Sequence, residues 1–348
     1  MKKNLVVIGY GGMGAWHVNK ALDSDVVNVA GVYDIDPAKN KAAEEKGLFV
    51  YDSYDAVLAD SKVDIVTIAT PNDVHKELAV KALNAGKNVI CEKPVAMNLA
   101  ELDEMIEAAN KNNRIFSVHQ NRRFDTDFLA IKNLKESGEI GDFINYESRI
   151  FGSRGIPGDW RRHKEFGGGM MLDWGVHLID QTLQMFKENI EKVHCVLDHV
   201  TSTEVDDGFR ATLYFEGGAY AFIEVGTYNF IQMFRHYVRA QNGCASISDW
   251  HGKCKITGPK EWIEEEVTPV QTAAGLTKTM APRDFSTLEE YELDQPTSDV
   301  HDYYRNFCKA IDGKEEQLVT HAEMRKVMKV MEACFESDRL GQVVKFEN

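Results

Sequence analysis

The chain has 348 residues and a formal net charge of −15, with 43% hydrophobic and 27% charged residues. This length predicts two domains, and the composition is ordinary for a globular protein. The acidic balance argues against nucleic acid or an anionic membrane as a partner, because both attract basic surfaces. No apolar run is long enough to cross a bilayer. Six cysteines without a C-x-x-C pair favour reduced thiols, and hence a cytoplasmic location, over a disulfide framework.

The first 120 residues alternate between strand-like and helix-like segments. Apolar runs predict strands at 4–8, 27–33, 48–51, 63–69, 88–91 and 114–119. Helical periodicity predicts helices at 14–22, 37–46, 54–58, 74–85 and 99–110. Asn98 is the expected N-cap of the last helix. Strands that alternate with helices form parallel sheets with right-handed crossovers, so residues 1–120 are expected to form an α/β Rossmann domain.

Beyond residue 120 the pattern changes to fewer helices and more alternating strands. Helices are predicted at 128–136, 170–186, 299–311 and 322–340. Strands are predicted at 143–150 and repeatedly within 193–248, with Glu216-Gly217-Gly218 as a hairpin signal. Residues 121–348 are therefore expected to form an α+β domain with an open, mostly antiparallel sheet that carries helices on one face. Residues 255–298 give no confident assignment.

A glycine-rich turn follows the first predicted strand. Gly9, Gly11 and Gly14 fit G-x-G-x-x-G between a strand and a helix, the context that a dinucleotide-binding loop requires. The first glycine permits a tight turn, the second lets the backbone approach a pyrophosphate, and the third allows close helix–strand packing. Because a helix N-terminus favours negative charge, Gly12 and Met13 in the same turn are also expected to bind the cofactor.

Asp34 ends the second predicted strand, twenty residues after Gly14. A carboxylate at this position accepts hydrogen bonds from the adenosine ribose hydroxyls and repels a 2′-phosphate, so the predicted cofactor is NAD rather than NADP. The alternative is that Asp34 is a solvated turn residue beside Asp36-Pro37.

Four polar or turn residues follow the strand predicted at 63–69. Thr70-Pro71-Asn72 closes this strand, and His75 comes next. Ligands of such folds bind at the carboxyl ends of the strands, so all four are candidates for cofactor binding. The alternative for His75 is a residue on a helix surface.

Five segments resemble the Gfo/Idh/MocA oxidoreductases, named for glucose–fructose oxidoreductase, inositol dehydrogenase and a rhizopine-catabolism protein. They are GYGGMG at 9–14, ATPNDVH at 69–75, CEKPVA at 91–96, NRRF at 121–124 and GGGMMLDWGVHLID at 167–180. They occur in family order across the first half of the chain, and the strand pattern of the second half suits the family's sheet domain. The resemblance also implies a cis peptide bond before Pro94, and it says far less about the substrate than about the fold.

The resemblance implies that Lys93, Asp173 and His177 are the catalytic trio and contact the substrate. Oxidation of a secondary alcohol needs a base for the hydroxyl proton and a path for the hydride to a nicotinamide. His177 suits the base, because a histidine has a reference pKa of about 6.5. Asp173 lies one helical turn earlier and can orient the imidazole or hold a substrate hydroxyl. Lys93 can hydrogen-bond the reacting oxygen and stabilise alkoxide charge.

Further contacts are expected around the nicotinamide. The expected cofactor-binding residues there are Glu92, Lys93, Asn121, Arg122, Trp160 and Arg161. Arg123 is expected to bind the substrate, because arginine forks and aromatic faces suit a sugar ring. The alternative is a loop of solvated arginines. Gly167-Gly168-Gly169 is interpreted as room for a cofactor ring or substrate, and the more distant pocket candidates are Tyr228, Phe230, His236 and Asp249.

Two zinc sites are weaker alternatives, and no metal is predicted. Asp173 and His177 are four residues apart and can ligate zinc together with Asp180, although no clear third ligand accompanies the first two. Cys244, His251 and Cys254 match no standard zinc spacing.

Together the patterns predict an NAD-dependent dehydrogenase that oxidises a secondary hydroxyl of a sugar, glycoside or cyclitol. The first alternative is a glycosidase that uses bound NAD in a transient redox cycle, since the same residues serve both reactions. The second is a non-catalytic sensor, as in the yeast galactose repressor with this fold, but the intact trio argues against it. Because the open sheet needs cover for its outer face, a homodimer or homotetramer packed sheet to sheet is expected.

Overall fold

A parallel sheet forms the first part of the structure, a computed structural model that describes residues 1–262 and 267–348. Its strands are β1 (Lys3–Ile8), β2 (Val27–Tyr33), β3 (Ile65–Ile68), β4 (Asn88–Cys91) and β5 (Phe116–Val118). They lie in the order β2-β1-β3-β4-β5, and all neighbours are parallel. In this order the chain reverses its direction of progress between β1 and β3, which is where open α/β sheets bind ligands.

Helices connect these strands, as the alternating pattern predicted. They are α1 (Gly12–Leu22), α2 (Pro37–Glu44), α3 (Tyr54–Ala59), α4 (His75–Asn84) and α5 (Leu99–Lys111). Asn98 caps α5 by accepting a hydrogen bond from the Glu101 amide at 2.9 Å, which confirms the predicted N-cap. The strand predicted at 48–51 is wrong, because only a single bridge joins Val50 to Val32.

A nine-stranded sheet forms the second part. Its first five strands in chain order are β6 (Phe143–Phe151), β7 (Ile190–Asp198), β8 (Gly208–Phe215), β9 (Tyr220–Gly226) and β10 (His236–Ala240). Strand β11 (Gly243–Ile247) follows, and Glu216–Gly218 turns β8 into β9 as predicted, with Gly217 at a φ of 83°. The pairing is antiparallel except between β6 and β9.

Residues 255–298, left without an assignment above, contribute further strands. These are β12 (Cys254–Pro259), β13 (Val270–Thr272), β14 (Gly275–Thr277) and β15 (Leu288–Leu293). Strands β12 and β15 extend one edge of the large sheet, β13 and β14 pair only with each other, and β16 (Val344–Lys345) ends the other edge. Three of the six residues of β15, LEEYEL, are glutamates, so this edge strand gave no apolar run.

Helices cover one face of the large sheet. They are α6 (Thr126–Ser137), α7 (Val176–Met185) and α9 (His321–Leu340), while α8 (His301–Ile311) packs elsewhere. The single helix predicted at 170–186 is a π-helical turn, Met171–Gly175, followed by α7. Helix α8 returns to the first sheet, where the Tyr303 hydroxyl donates to the Val118 carbonyl at 3.0 Å.

The cysteines and the helices are unremarkable for a globular chain. All six cysteines are unpaired. Among the described residues, no helix combines the length and the apolar character needed to cross a bilayer.

Candidate active site

The glycine loop between β1 and α1 leaves an open space at the start of the helix. Gly9 has a φ of +87°, and a Cβ on Gly14 would lie 1.8 Å from the Gly9 carbonyl oxygen, so neither position accepts a side chain. By contrast, a Cβ on Gly11 or Gly12 would meet no atom within 4 Å. Gly11 is the N-cap of α1 and provides no side-chain cap. The first amides of α1 are therefore free to receive a pyrophosphate, which fits a dinucleotide.

Asp34 lies beside this loop at the end of β2. One carboxylate oxygen accepts the Tyr10 amide at 2.6 Å, and the other accepts the Asp36 amide at 2.9 Å. Each oxygen keeps a second lone pair that can accept from a ribose hydroxyl. Asp34 thus lies against the glycine loop, and it also takes part in the turn at Asp36.

The loop after β3 contains one residue whose expected role must be corrected. The His75 ring is buried, with Nδ1 2.9 Å from the Pro94 carbonyl and Nε2 3.0 Å from the Thr70 carbonyl. Both ring nitrogens face backbone oxygens, and burial lowers the pKa of His75, so the neutral ring donates to one of these carbonyls and is enclosed by protein instead of contacting a cofactor. Among the residues that the structure describes, the Thr70 hydroxyl is buried without a partner, and Asn72 donates to the Gly167 carbonyl at 2.9 Å.

Lys93 and Asp173 form the centre of the candidate site. The Lys93–Pro94 bond is cis, as the resemblance implied. Lys93 Nζ donates to Asp173 Oδ1 and to the Asp173 carbonyl, both at 2.9 Å, while Arg161 Nε donates to Oδ2 at 3.1 Å. Burial favours a raised pKa for Asp173, but the Lys93 and Arg161 cations outweigh it and lower the pKa. Asp173 is therefore an ionised carboxylate that holds Lys93, and it makes no hydrogen bond that orients His177.

His177 lies in the first turn of α7 with a buried ring. Burial, followed by the positive charges of Lys93 and Arg122, lowers the pKa of His177 well below its usual value. Its Nδ1 atom has no hydrogen-bond partner among the described residues. The ring is thus a neutral imidazole close to two cations.

The π-helical turn that carries Asp173 is held by tight packing. Asp206 accepts the Met171 amide at 2.7 Å. A Cβ on Gly168 would lie 2.3 Å from the Arg161 carbonyl oxygen, and one on Gly169 would lie 2.2 Å from Asp206 Oδ1. The triple glycine therefore serves close approach of the backbone, and its interpretation as room for a ring was wrong. A π-turn next to a candidate site is a common arrangement in enzymes.

Two more expected ligand contacts are occupied by protein groups. Arg123 is 8% exposed and donates to both oxygens of Asp180, at 2.8 and 2.6 Å, so its guanidinium is not available to a substrate. Glu92 is 4% exposed, and its carboxylate accepts from His17 and His119 instead of facing the cofactor edge. Both expectations failed because the partners of a charged side chain are set by the tertiary fold.

The same contacts argue against the two zinc alternatives. Asp173 is paired with Lys93, and Asp180 is paired with Arg123. Within residues 1–262 and 267–348, the group with metal-ligand spacing is instead His17, Glu92 and His119, while Cys244, His251 and Cys254 do not come together.

Arg122 stacks between two tryptophans at the mouth of the site. Its guanidinium lies 4.2 Å from the Trp174 ring centroid and 5.0 Å from that of Trp250, and it pairs with Asp125 at 2.9 Å. Arg122 Nε and Asn121 Oδ1 are buried without partners in the described part of the chain. These unpaired atoms suit a polar ligand. Trp250 was missed in the sequence because it lies in a loop without a motif.

Beside Asp173 lies a cleft of about 510 Å³ with a mixed polar and aromatic lining. The lining includes Arg149, Arg154, Met170, Asp173, Trp174, Asp249 and Trp250. Of the more distant candidates, Asp249 lines this cleft, whereas His236 is buried against Asp127 and both Tyr228 and Phe230 are exposed. Trp160 does not line this cleft, and its ring lies 4.6 Å from the Arg161 guanidinium.

Comparisons with known proteins agree with this architecture. Residues 3–120 match the model of an oxidoreductase family with an NAD-binding Rossmann fold, and residues 128–246 match the GFO/IDH/MocA C-terminal domain. A crystal structure of an NAD-binding protein from Listeria innocua is 46% identical, covers 99% of each chain and superposes with a TM-score of 0.96.

Curated relatives match over shorter stretches. An uncharacterized oxidoreductase of Schizosaccharomyces pombe is 39% identical over 170 residues, which are 48% of this chain and 46% of the relative. An inositol 2-dehydrogenase of Salmonella typhimurium is 33% identical over 156 residues, 43% of this chain and 46% of the relative. The matched stretch thus spans about half the length of these relatives. Two consecutive family matches, over a parallel sheet with its glycine loop and the large sheet that follows, show that the chain belongs to the Gfo/Idh/MocA family of NAD(P)-binding oxidoreductases.

Proposed function

We propose that the protein is an NAD-dependent dehydrogenase that oxidises a secondary hydroxyl of a sugar, glycoside or cyclitol. The observation that carries the proposal is the contact between Lys93 Nζ and the ionised Asp173 carboxylate, beside the neutral ring of His177. Lys93 follows β4 at the carboxyl end of the parallel sheet, and Asp173 lines the cleft. The inositol 2-dehydrogenase relative supports an alcohol as the substrate.

Lys93 is proposed to act at the reacting oxygen. Its ammonium has three N–H donors, and Asp173 Oδ1 and the Asp173 carbonyl accept two of them. No described residue accepts the third, which can donate to a substrate hydroxyl and stabilise negative charge as the proton leaves. Asp173 keeps Lys93 in place, and Arg161 helps to keep Asp173 ionised.

His177 is proposed to be the base. A group that accepts a proton must be unprotonated at the working pH, and the lowered pKa of His177 meets this condition. Bound NAD would supply the acceptor for the hydride. No described protein group pairs with Nδ1, so the protein does not commit the ring to one tautomer.

NAD is proposed over NADP because of Asp34. Its carboxylate lies against the glycine loop and has lone pairs for ribose hydroxyls, and its negative charge disfavours a 2′-phosphate. Gly11 and Gly12 leave space for the pyrophosphate.

A panel assay tests the proposal. The protein and NAD are mixed with polyols, aldoses and glycosides while the fluorescence of reduced nicotinamide is followed. A steady rise with one class supports the dehydrogenase and identifies its substrates. A rise that stops near one equivalent of enzyme, together with release of the aglycone, would instead support the NAD-dependent glycosidase. No rise with any compound, despite NAD binding, would contradict both.

We also propose that the uncovered face of the large sheet packs against a second copy of the chain. Helices α6, α7 and α9 cover the opposite face. The outward-facing residues include the neighbouring rings of Tyr214 and Tyr220, 6.4 Å apart, and Phe222 under the Arg149 guanidinium. Aromatic side chains of this kind are enriched in interfaces. Light scattering that shows a dimer or tetramer would support the packing, and a monomer at all concentrations would contradict it.

A further inference from the structure

Glu92 lies directly before Lys93, but its side chain points into the protein. Its Oε1 atom accepts His17 Nε2 at 2.8 Å and His119 Nδ1 at 2.9 Å. His17 belongs to α1, the helix that follows the glycine loop, and His119 follows β5. One carboxylate oxygen thus joins three elements of the Rossmann domain immediately behind the proposed reaction centre.

The chain of hydrogen bonds continues to α8. The hydroxyl of Tyr304 lies 2.6 Å from His17 Nδ1. Because Glu92 can only accept while ionised, His17 donates through Nε2, and a neutral ring then accepts the Tyr304 proton at Nδ1. Burial lowers the pKa of His17 and raises the pKa of Tyr304 well above its usual value, in agreement with a neutral ring and a neutral phenol.

The carboxylate of Glu92 is ionised although no lysine or arginine pairs with it among the described residues. Burial alone would raise the pKa of Glu92, but the hydrogen bonds from His119 and His17 hold it well below the usual value. Hydrogen bonds to a charged acceptor are stronger than neutral ones and compensate part of its lost hydration. A buried polar group with this many partners has little freedom to move.

Two buried side chains, those of Glu92 and His75, contact the backbone on either side of Lys93. Glu92 Oε2 accepts the Lys93 amide at 3.3 Å, and the Pro94 carbonyl lies 2.9 Å from His75 Nδ1. The Lys93 side chain leaves this clamped segment toward Asp173. The position of Lys93 relative to the glycine loop therefore depends on the buried hydrogen bond between Glu92 and His17. His17 belongs to α1, the helix that follows the glycine loop.

We propose that Glu92 is a positioning residue for Lys93, and that the chain Tyr304–His17–Glu92–His119 links the position of Lys93 to that of the cofactor-binding helix α1. This inference rests on the proposed function of Lys93 at the reacting oxygen. A metal ion held by His17, Glu92 and His119 is the competing interpretation. Hydrogen bonds favour the positioning role, since Oε1 already receives both rings and Tyr304 uses the second nitrogen of His17.

Two tyrosines of α8 provide a matched pair of variants. Tyr304→Phe removes the hydroxyl that donates to His17, and Tyr303→Phe removes a buried hydroxyl of the same helix that donates to the Val118 carbonyl. Each loses one buried hydrogen bond, so similar losses of thermal stability are expected. Only Tyr304→Phe should lower kcat, by about threefold to tenfold, with the KM for the sugar unchanged. Equal kcat values for the two variants would overturn the proposal.

Glu92→Gln should have a larger effect on kcat than Tyr304→Phe. Its control is Glu107→Gln, on the exposed side of α5. We expect Glu92→Gln to lower kcat by about tenfold to a hundredfold while NAD still binds, because Lys93 is misplaced and the glycine loop is intact. Elemental analysis of the purified wild type accompanies the assay. A stoichiometric divalent metal lost in Glu92→Gln would overturn the positioning role.

A readout without turnover separates this inference from the proposed function. The rate at which an anhydride acylates Lys93 is followed by mass spectrometry in the wild type, Glu92→Gln and Glu107→Gln. Release of Lys93 from Asp173 should speed its acylation in Glu92→Gln alone. If the wild type oxidises no compound of the panel but this difference is seen, the function fails and the positioning stands. Equal acylation rates would overturn the positioning even in an active enzyme.

Discussion

Lys93 Nζ lies 2.9 Å from both Oδ1 and the backbone carbonyl oxygen of Asp173, eighty residues further along the chain. The contact joins the end of a Rossmann strand to the π-helical turn that precedes α7. It therefore brings together the two segments that the family resemblance marks as catalytic. Burial, followed by the nearby positive charge of Lys93, lowers the pKa of His177, so Lys93 is coupled both to Asp173 and to His177.

The first prediction concerns the pH dependence of activity. The proposed base must be neutral, and because the pKa of His177 is lowered, the acid limb of kcat/KM should lie below pH of about 6.5, the usual histidine value. Arg122→Gln removes one of the charges that lower the pKa of His177, so its acid limb should move upward. Rate profiles of both proteins check this. A wild-type limb at or above the usual value would contradict the assignment.

The second prediction compares two glycines of the cofactor loop. Gly11→Ala places a Cβ where no protein atom lies within 4 Å, so its melting temperature should match the wild type while its affinity for NAD falls by about tenfold or more. Gly14→Ala places a Cβ 1.8 Å from a backbone oxygen and should destabilise the fold itself. Thermal unfolding and NAD titration distinguish the two. Undiminished NAD binding by Gly11→Ala would show that the pyrophosphate lies elsewhere.

The third prediction concerns stability and two adjacent carboxyl groups. Burial raises the pKa of Asp206 to about 6, so the folded state binds its proton more tightly than the unfolded state, and stability falls as the pH rises from about 4 through 6. Asp206→Asn should therefore raise the melting temperature at pH ~8 and leave the melting temperature unchanged at pH ~4.

Asp207 serves as the control for this prediction. Burial favours a raised pKa for Asp207, but the hydrogen bonds from Thr201 and its neighbours lower it. Its carboxylate therefore stabilises the folded state above the usual aspartate pKa and loses that effect as the pH falls. Asp207→Asn should lower the melting temperature near neutral pH. The same sign of change in both variants would contradict the account.

The fourth prediction separates two neighbouring arginines. Arg123→Ala leaves the buried Asp180 carboxylate without its partner and should destabilise the protein by about 3–5 kcal/mol. Arg122→Ala removes a partly exposed group at the mouth of the site, so it should change activity more than stability. Chemical denaturation and steady-state kinetics give both quantities. If Arg123→Ala is stable but inactive, this would contradict the structural role and indicate that Arg123 binds the substrate.

Sequence reasoning located the parallel sheet and the glycine loop because both depend on local patterns. Buried strands such as Ile65–Ile68 are continuous apolar runs, and Gly14 is required by a contact only five residues away. The direction of charged side chains is not a local property. Arg123 donates to Asp180, Glu92 accepts from His17, and the His75 ring faces the Thr70 and Pro94 carbonyls. Asp180, His17 and Pro94 lie in elements distant in the sequence from the side chains that they contact.

Edge strands of the large sheet were missed for a related reason. In β15 the side chains on both faces are polar or partly exposed, so no alternation marks it, and its pairing with β12 rests on backbone hydrogen bonds. Trp250 was missed because its role depends on Arg122, which lies in a distant segment.

The Lys93→Met variant tests whether Lys93 acts at the reacting oxygen. This variant keeps the length of the side chain and removes the ammonium, with Lys39→Met on the exposed side of α2 as the control. Both are assayed for NAD affinity and for kcat/KM with the best compound of the panel. We expect Lys93→Met to bind NAD like the wild type and to lose about a thousandfold in kcat/KM, while Lys39→Met loses nothing. A Lys93→Met enzyme with activity close to the wild type would contradict this role of Lys93.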